Sequence, residues 1–138
     1  MNSILLVDDE TVICAEFART LENLGFKVEV APTVESGLSR SEEAHFDAIL
    51  VEFNLRSECR TSPRAGNGID LVRKMRALNV AMPILMLTAM EGELYETVSF
   101  DAGADDFITK TGTFSGVISR LRAHIQRNER PTSTHSEK

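Results

Sequence analysis

Acids stand at Asp8, Asp9 and Glu10 and again at Glu52, a hydroxyl at Thr88 and an ammonium at Lys110. Each follows a short apolar run. Carboxylates gathered in one place repel one another, and a cation relieves that repulsion. Hard oxygen ligands suit Mg²⁺, which keeps several of its waters and often bridges to a phosphate. A lysine opposite the acids neutralises one carboxylate or holds a phosphoryl oxygen, and a threonine hydroxyl donates to another. The plainer reading of Asp8-Asp9-Glu10 is a helix start, where the macrodipole favours acids. One acidic run arises easily by chance. Acid, acid, hydroxyl and ammonium at the ends of four apolar runs is a much rarer combination.

The elements that must position these groups alternate along the chain. Ile4 to Val7 is a continuous apolar run, as expected of a strand buried on both faces. Ile13, Phe17, Leu21 and Leu24 recur at helical spacing, and Gly25 follows as a stop. Phe26, Val28 and Val30 alternate as in a strand, and Thr33 to Ala44 predicts a helix with Thr33 as N-cap. Ala48 to Val51 reads as a third strand, and Ile69, Val72, Met75 and Leu78 fall on a third helix. Pro83 to Leu87 is a fourth strand, with Pro83 at its first position, where a missing N–H costs least. A fourth helix is expected over 91–102 and a short strand over 106–108. Phe114, Val117, Ile118, Leu121 and Ile125 form the cleanest helical stripe.

Five strands alternating with five helices imply an α/β fold, a doubly wound parallel sheet covered on both faces. Ligands in such a sheet bind beyond the carboxyl ends of the strands, at the switch point. With strand order 2-1-3-4-5 the first and third strands are neighbours, and Asp8, Asp9 and Glu52 converge with Thr88 and Lys110 beside them.

The 138 residues make one domain of ordinary size, and an apolar share of 42% is that of a water-soluble globular chain. No apolar run approaches the roughly 20 residues of a membrane span. The first residues lack a basic stretch and turn acidic at once, which is not a signal peptide. Cys14 and Cys59 are too few for a disulfide scaffold or a zinc site, so a cytoplasmic location with reduced thiols is expected. The net charge of −6 disfavours non-specific nucleic-acid binding.

The sequence resembles the receiver domain of two-component response regulators from residue 3 to about residue 127. The resemblance rests on Ile4-Leu5-Leu6-Val7-Asp8-Asp9-Glu10, Phe46-Asp47-Ala48-Ile49-Leu50-Val51 and Gly68-Ile69-Asp70-Leu71. It continues in Pro83-Ile84-Leu85-Met86-Leu87-Thr88-Ala89 and in 102–110, from Ala102-Gly103-Ala104 to Ile108-Thr109-Lys110. It implies a flavodoxin-like fold with strand order 2-1-3-4-5. It also implies a domain that takes a phosphoryl group from a histidine kinase onto an aspartate, with Mg²⁺, and then alters the face made by its fourth and fifth helices. Position by position, Asp8 and Asp9 match the acidic metal pair. Asn54 matches the residue whose backbone carbonyl completes the metal shell. Thr88 matches the switch hydroxyl, Phe107 the switch aromatic and Lys110 the phosphate-contacting lysine.

Three departures stand out. The phosphoacceptor position holds Glu52, whose carboxylate reaches one methylene, roughly 1.5 Å, further than that of an aspartate. Phosphoryl transfer depends on positioning, and errors near 1 Å cost about 100-fold. The expectation is therefore an atypical receiver that is not phosphorylated at Glu52, holds Mg²⁺ weakly through Asp8, Asp9 and Glu52, and acts through protein–protein contacts. Next, the loop over 53–67 is longer than the family's pattern implies and carries Arg56, Arg60 and Arg64. These arginines either cover the pocket, reach Glu52 or Asp9, or contact an acidic partner, or they belong to a solvated insertion of the kind chains tolerate cheaply. Last, Thr111 stands where the family has proline after the lysine, and a cis bond without proline costs about 3 kcal/mol.

The expected domain runs over 1–127, with a flexible tail over 128–138. The chain ends soon after the fifth helix, which leaves the expectation of a single-domain module. Its partners are then a histidine kinase or a downstream signalling protein, with neither nucleic acid nor membrane. Acids Glu91, Glu93 and Glu96 on the fourth helix and Arg120, Arg122, Arg127 and Arg130 on the fifth fit either a symmetric homodimer across those helices or two solvated faces. His45, His124 and His135 show no metal spacing. Two alternatives stay open. One is a working phosphoacceptor at Glu52 or a nearby acid such as Asp9. The other is a cofactor-binding flavodoxin-like protein, against which stands the acidic turn after the first strand. No nucleophile is paired with a histidine base, so an enzyme is not expected.

Overall fold

The computed structural model describes residues 2–9, 11–55, 68–88, 92–109 and 115–129. In chain order the elements are β1 (Ser3–Val7), α1 (Thr11–Asn23), β2 (Lys27–Ala31), α2 (Val34–Glu43) and β3 (Ala48–Glu52). Then follow α3 (Gly68–Ala77), β4 (Ile84–Thr88), α4 (Glu93–Ala102), β5 (Asp106–Thr109) and α5 (Ser115–Glu129). All five strands are parallel, in the order β2-β1-β3-β4-β5. This is the doubly wound, flavodoxin-like sheet expected from the alternation of elements.

Successive side chains of a strand point to opposite faces, and the apolar runs split accordingly. Leu5, Val7, Ile49, Val51, Ile84, Met86 and Phe107 pack with Leu71, Val72 and Met75 of α3. Ile4, Leu6, Ala48, Leu50, Leu85, Leu87 and Ile108 pack with Phe17 and Leu21 of α1 and with Val117, Ile118, Leu121 and Ile125 of α5. Strands buried on both sides must be apolar at every position, which is why they read as continuous runs. Leu121 is fully buried, and truncating such a leucine to alanine costs about 3 kcal/mol.

The helices differ in how they are held. Thr33 caps α2 as expected: its side chain accepts the Ser36 N–H, and the Ser36 hydroxyl accepts the Thr33 N–H. The α4 helix is the weakly apolar one. Its fully buried residues are Ser99 and Ala102, with Tyr95 and Val98 partly buried against the α3 side of the core.

Several expected boundaries shift. Pro83 precedes β4 rather than opening it, and its carbonyl accepts the Ile49 N–H at 2.8 Å. The fourth helix begins at Glu93, after Gly92, whose φ of 128° is a conformation that glycine alone adopts at low cost. Leu24 is not on the buried stripe of α1. The helix ends at Asn23 and Leu24 lies half-exposed in the turn through Gly25. The last helix continues through Asn128 and Glu129, into the segment expected to be tail.

Candidate functional site

The carboxyl ends of β1, β3 and β4 lie side by side, with Val7 opposite Val51 and Glu52 opposite Leu87. Glu52 and Thr88 do not follow their strands; they are the last residues within them. A polar residue does not end a ladder whose bonds are made by the backbone. Both are buried, Glu52 at 5% exposure and Thr88 at 0%. Asp8, directly after β1, is also buried, and its N–H donates to the Ala31 carbonyl at 3.0 Å. Asp9 beside it is half-buried. Phe107 is buried on β5 and belongs to the core on the α3 and α4 side.

The Glu52 carboxylate has a local hydrogen bond. Its Oε2 accepts the backbone N–H of Asn54 at 3.1 Å. The bend that allows this is built from backbone. The Phe53 N–H continues the ladder to the Leu87 carbonyl at 2.8 Å, and the Gly68 N–H donates to the Phe53 carbonyl at 2.8 Å. Gly68 is thereby bonded to the backbone of Phe53, next to Glu52. Gly68 permits that approach, because a Cβ there would stand 2.3 Å from the Glu52 carbonyl oxygen.

The residues singled out from the sequence meet in part. Asp8, Asp9, Glu52 and Thr88 share one end of the sheet. Among the described residues, however, no group of three or more His, Cys, Asp or Glu side chains is placed to hold a metal ion. Asp8, Asp9 and Glu52 thus do not form a three-carboxylate site in this arrangement, and the Asn54 backbone contributes its N–H to Glu52. Glu10, Arg56, Cys59, Arg60, Arg64, Glu91, Lys110 and Thr111 lie outside the described residues, as does most of the expected tail.

Three contacts had no signal in the sequence. The Phe53 ring meets Tyr95 of α4 edge-on, with centroids 5.3 Å apart and planes at 81°. Arg76 donates to the carbonyls of Gly103, Val80 and Met82 and to Asp105. His124 is not isolated: its Nε2 lies 3.0 Å from Asp106 Oδ2, while Arg120 reaches Asp106 Oδ1 at 3.2 Å. The aromatic pair joins the β3 turn to the fourth helix, and the Asp106 pairs join β5 to the fifth. Part of the basic charge on α5 is thereby used within the domain.

The chain matches the response regulator receiver domain over residues 4–122. It belongs to that family. It is similar to the sensory transduction protein RegX3 of Mycolicibacterium smegmatis, with 30% identity over 127 residues, 92% of this chain and 52% of RegX3. It is similar to the alkaline phosphatase synthesis transcriptional regulatory protein PhoP of Bacillus subtilis, at 32% over 128 residues, 93% of this chain and 50% of PhoP. The chain spans about half the length of these curated relatives. Among solved structures, a CheY-like receiver domain protein from Methanospirillum hungatei superimposes with a TM-score of 0.80 at 27% identity, over 94% of this chain and 97% of that one.

The receiver is a signalling module of two-component systems, a family of which Mg²⁺ binding at the phosphorylation site is a general property. The family resemblance drawn from the sequence and the strand order both hold. Among the described residues, no helix is long and apolar enough to cross a membrane.

Proposed function

We propose that this receiver transmits its signal through protein–protein contacts of the face formed by α4, β5 and α5, without ordinary phosphorylation at Glu52. The observation that carries the proposal is the state of the Glu52 carboxylate: buried, and bonded to the amide of its own turn at Asn54. One oxygen of that carboxylate, Oε2, is engaged by the backbone. An acceptor oxygen must instead face an incoming phosphorus in line with its leaving group.

Asp8 and Asp9 are the acids that would hold Mg²⁺, which would supply positive charge beside a phosphoryl oxygen. With Oε2 of Glu52 bonded to the Asn54 amide, the proposed signalling needs no metal. Thr88 and Phe107 are the switch pair, and Lys110 is the phosphate-contacting lysine. The contact face carries exposed Glu93 and Glu96, together with Leu94 at 71% exposure and a half-exposed Phe100. Its partner is a histidine kinase or a downstream signalling protein in the cytoplasm, not nucleic acid. The homodimer across α4 and α5 is the weaker reading, since Arg120 and His124 already pair with Asp106.

The test exposes the native protein and Glu52→Asp to Mg²⁺ with acetyl phosphate or beryllofluoride. Intact mass and backbone amide shifts are followed. The native protein is expected to show neither adduct nor shift, while Glu52→Asp gains both. A phosphoryl mass on the native protein, or strong shifts at its Thr88 and Phe107, overturns the proposal.

A further inference from the structure

The fourth helix is fixed unequally along its length. Its fully buried residues, Ser99 and Ala102, are small and lie in its second half. At its start, Gly92 makes no side-chain cap bond. The Ser99 hydroxyl donates to the Tyr95 carbonyl at 2.7 Å, which spends that side chain within the helix rather than on a neighbouring element. Between the N-terminus and Ser99 the partly buried apolar residues are Tyr95 and Val98, and Phe53 packs edge-on against the larger of them, Tyr95. Phe53 directly follows Glu52, and its backbone makes two bonds that define the turn, to Leu87 and to Gly68. The Glu52 carboxylate closes the same turn at Asn54.

We infer that Phe53 and Tyr95 form a link by which the seating of Glu52 sets how firmly the first turns of α4 are held. The turn over 52–54 is short and closed by hydrogen bonds, so a change in the carboxylate's bond to Asn54 moves the peptide that carries the Phe53 ring. An edge-to-face pair depends on ring geometry as well as on buried area. Displacement of Phe53 therefore weakens the contact at Tyr95 before the rest of the core changes. This route runs from β3 to α4 by ring contact, and both rings pack against the core that holds Phe107. Its signalling value rests on the reading of α4 as part of the contact face; its mechanics do not.

The experiment uses the full chain, isotope-labelled, as the native protein, Glu52→Gln, Phe53→Leu, Tyr95→Leu and the double variant Glu52→Gln/Phe53→Leu. Glu52→Gln is expected to shift the amides of Tyr95 to Ser99 in the native background. In the Phe53→Leu background those shifts collapse, while the shifts at Thr88 and Phe107 persist. Amide exchange in the first turns of α4 is expected to be about threefold to tenfold faster in Phe53→Leu and in Tyr95→Leu, the range an aromatic pair supports. Exchange at Leu50 and Leu85 stays unchanged. Tyr95→Leu tests the link from the helix side if Phe53→Leu disturbs folding. The inference is overturned if Glu52→Gln leaves α4 unmoved, or if α4 responds equally with and without the Phe53 ring. Neither result depends on a phosphodonor, so failure here is distinct from failure of the functional proposal.

Discussion

At its C-terminal end α4 stops on Gly103, in the left-handed conformation, and Arg76 donates from Nε to the Gly103 carbonyl at 2.9 Å. The same guanidinium donates to the carbonyls of Val80 and Met82 at 2.7 and 3.0 Å and to Asp105 at 2.8 Å. Asp105 Oδ2 in turn accepts the Ile84 N–H. One side chain thus ties the end of α3, the turn before β4, the end of α4 and the approach to β5. At its N-terminal end, among the described residues, the helix starts at a glycine without a side-chain cap and is held by the Phe53–Tyr95 ring contact with Val98 beside it. Multiple directional bonds to backbone fix a position, whereas a single ring contact leaves it adjustable. The helix is pinned at the far end of the sheet and held by fewer contacts among the described residues at the end where Glu52 lies.

Removing the pin is the most drastic way to break this contrast. Arg76→Ala deletes every one of those bonds and leaves several carbonyls to water, and charged hydrogen bonds of this kind contribute about 1.5–3 kcal/mol. Stability is expected to fall by about 3 kcal/mol, read as a lower urea midpoint at unchanged slope. Fast amide exchange should then spread over the whole of α4. If it stays confined to the first turns, Arg76 is not the anchor. Gly68→Ala attacks the other end. Its Cβ would stand 2.3 Å from the Glu52 carbonyl oxygen, and overpacking of this order costs about 2 kcal/mol. Amide shifts should centre on 52–54 and reach Tyr95, while Gly103 and Asp105 stay still.

The smallest effect serves as a control away from α4. Arg40 makes a two-pronged pair with Glu29 of β2 and holds that carboxyl below the usual carboxylate range. A lowered pKa in the folded state adds stability above the pKa of the unfolded chain. That gain is lost as pH falls through the folded value. Arg40→Gln should therefore destabilise slightly at neutral pH and not at all in acid below the titration of Glu29. Both residues are largely solvated, so the effect is small. The difference between native and variant urea midpoints across pH checks it, and α4 exchange should not respond.

The inner strands β1, β3 and β4 were legible because they are buried on both faces and so are apolar at nearly every position, whereas the edge strand β2, with Lys27 and Val30 exposed, was legible by alternation. Thr33 was legible because a cap is local chemistry. The ends of β3 and β4 were misplaced by one residue each, since Glu52 and Thr88 are polar in side chain but still paired in backbone. Leu24 fitted the stripe of α1, yet Gly25, with φ at 96°, turns the chain before that position can face the core. Arg76 and Asp105 were invisible for a different reason. They are separated by 29 positions and joined only by the fold. Phe53 and Tyr95 share that character. The acids of the site announced themselves by type, but which way the Glu52 carboxylate turns depended on backbone geometry that no spacing encodes.

The bond between Gly68 and Phe53 has a consequence for how this chain can vary. Leu55 is buried and Gly68 is clamped against β3, so any sequence inserted between them begins and ends on two fixed points. Closing a longer flexible loop costs only about 0.6 kcal/mol for each doubling of its length. The strand and helix on either side feel none of the added length. Insertion between Leu55 and Gly68 is therefore expected to cost little in loop closure, a few residues from the carboxylate at the centre of the receiver.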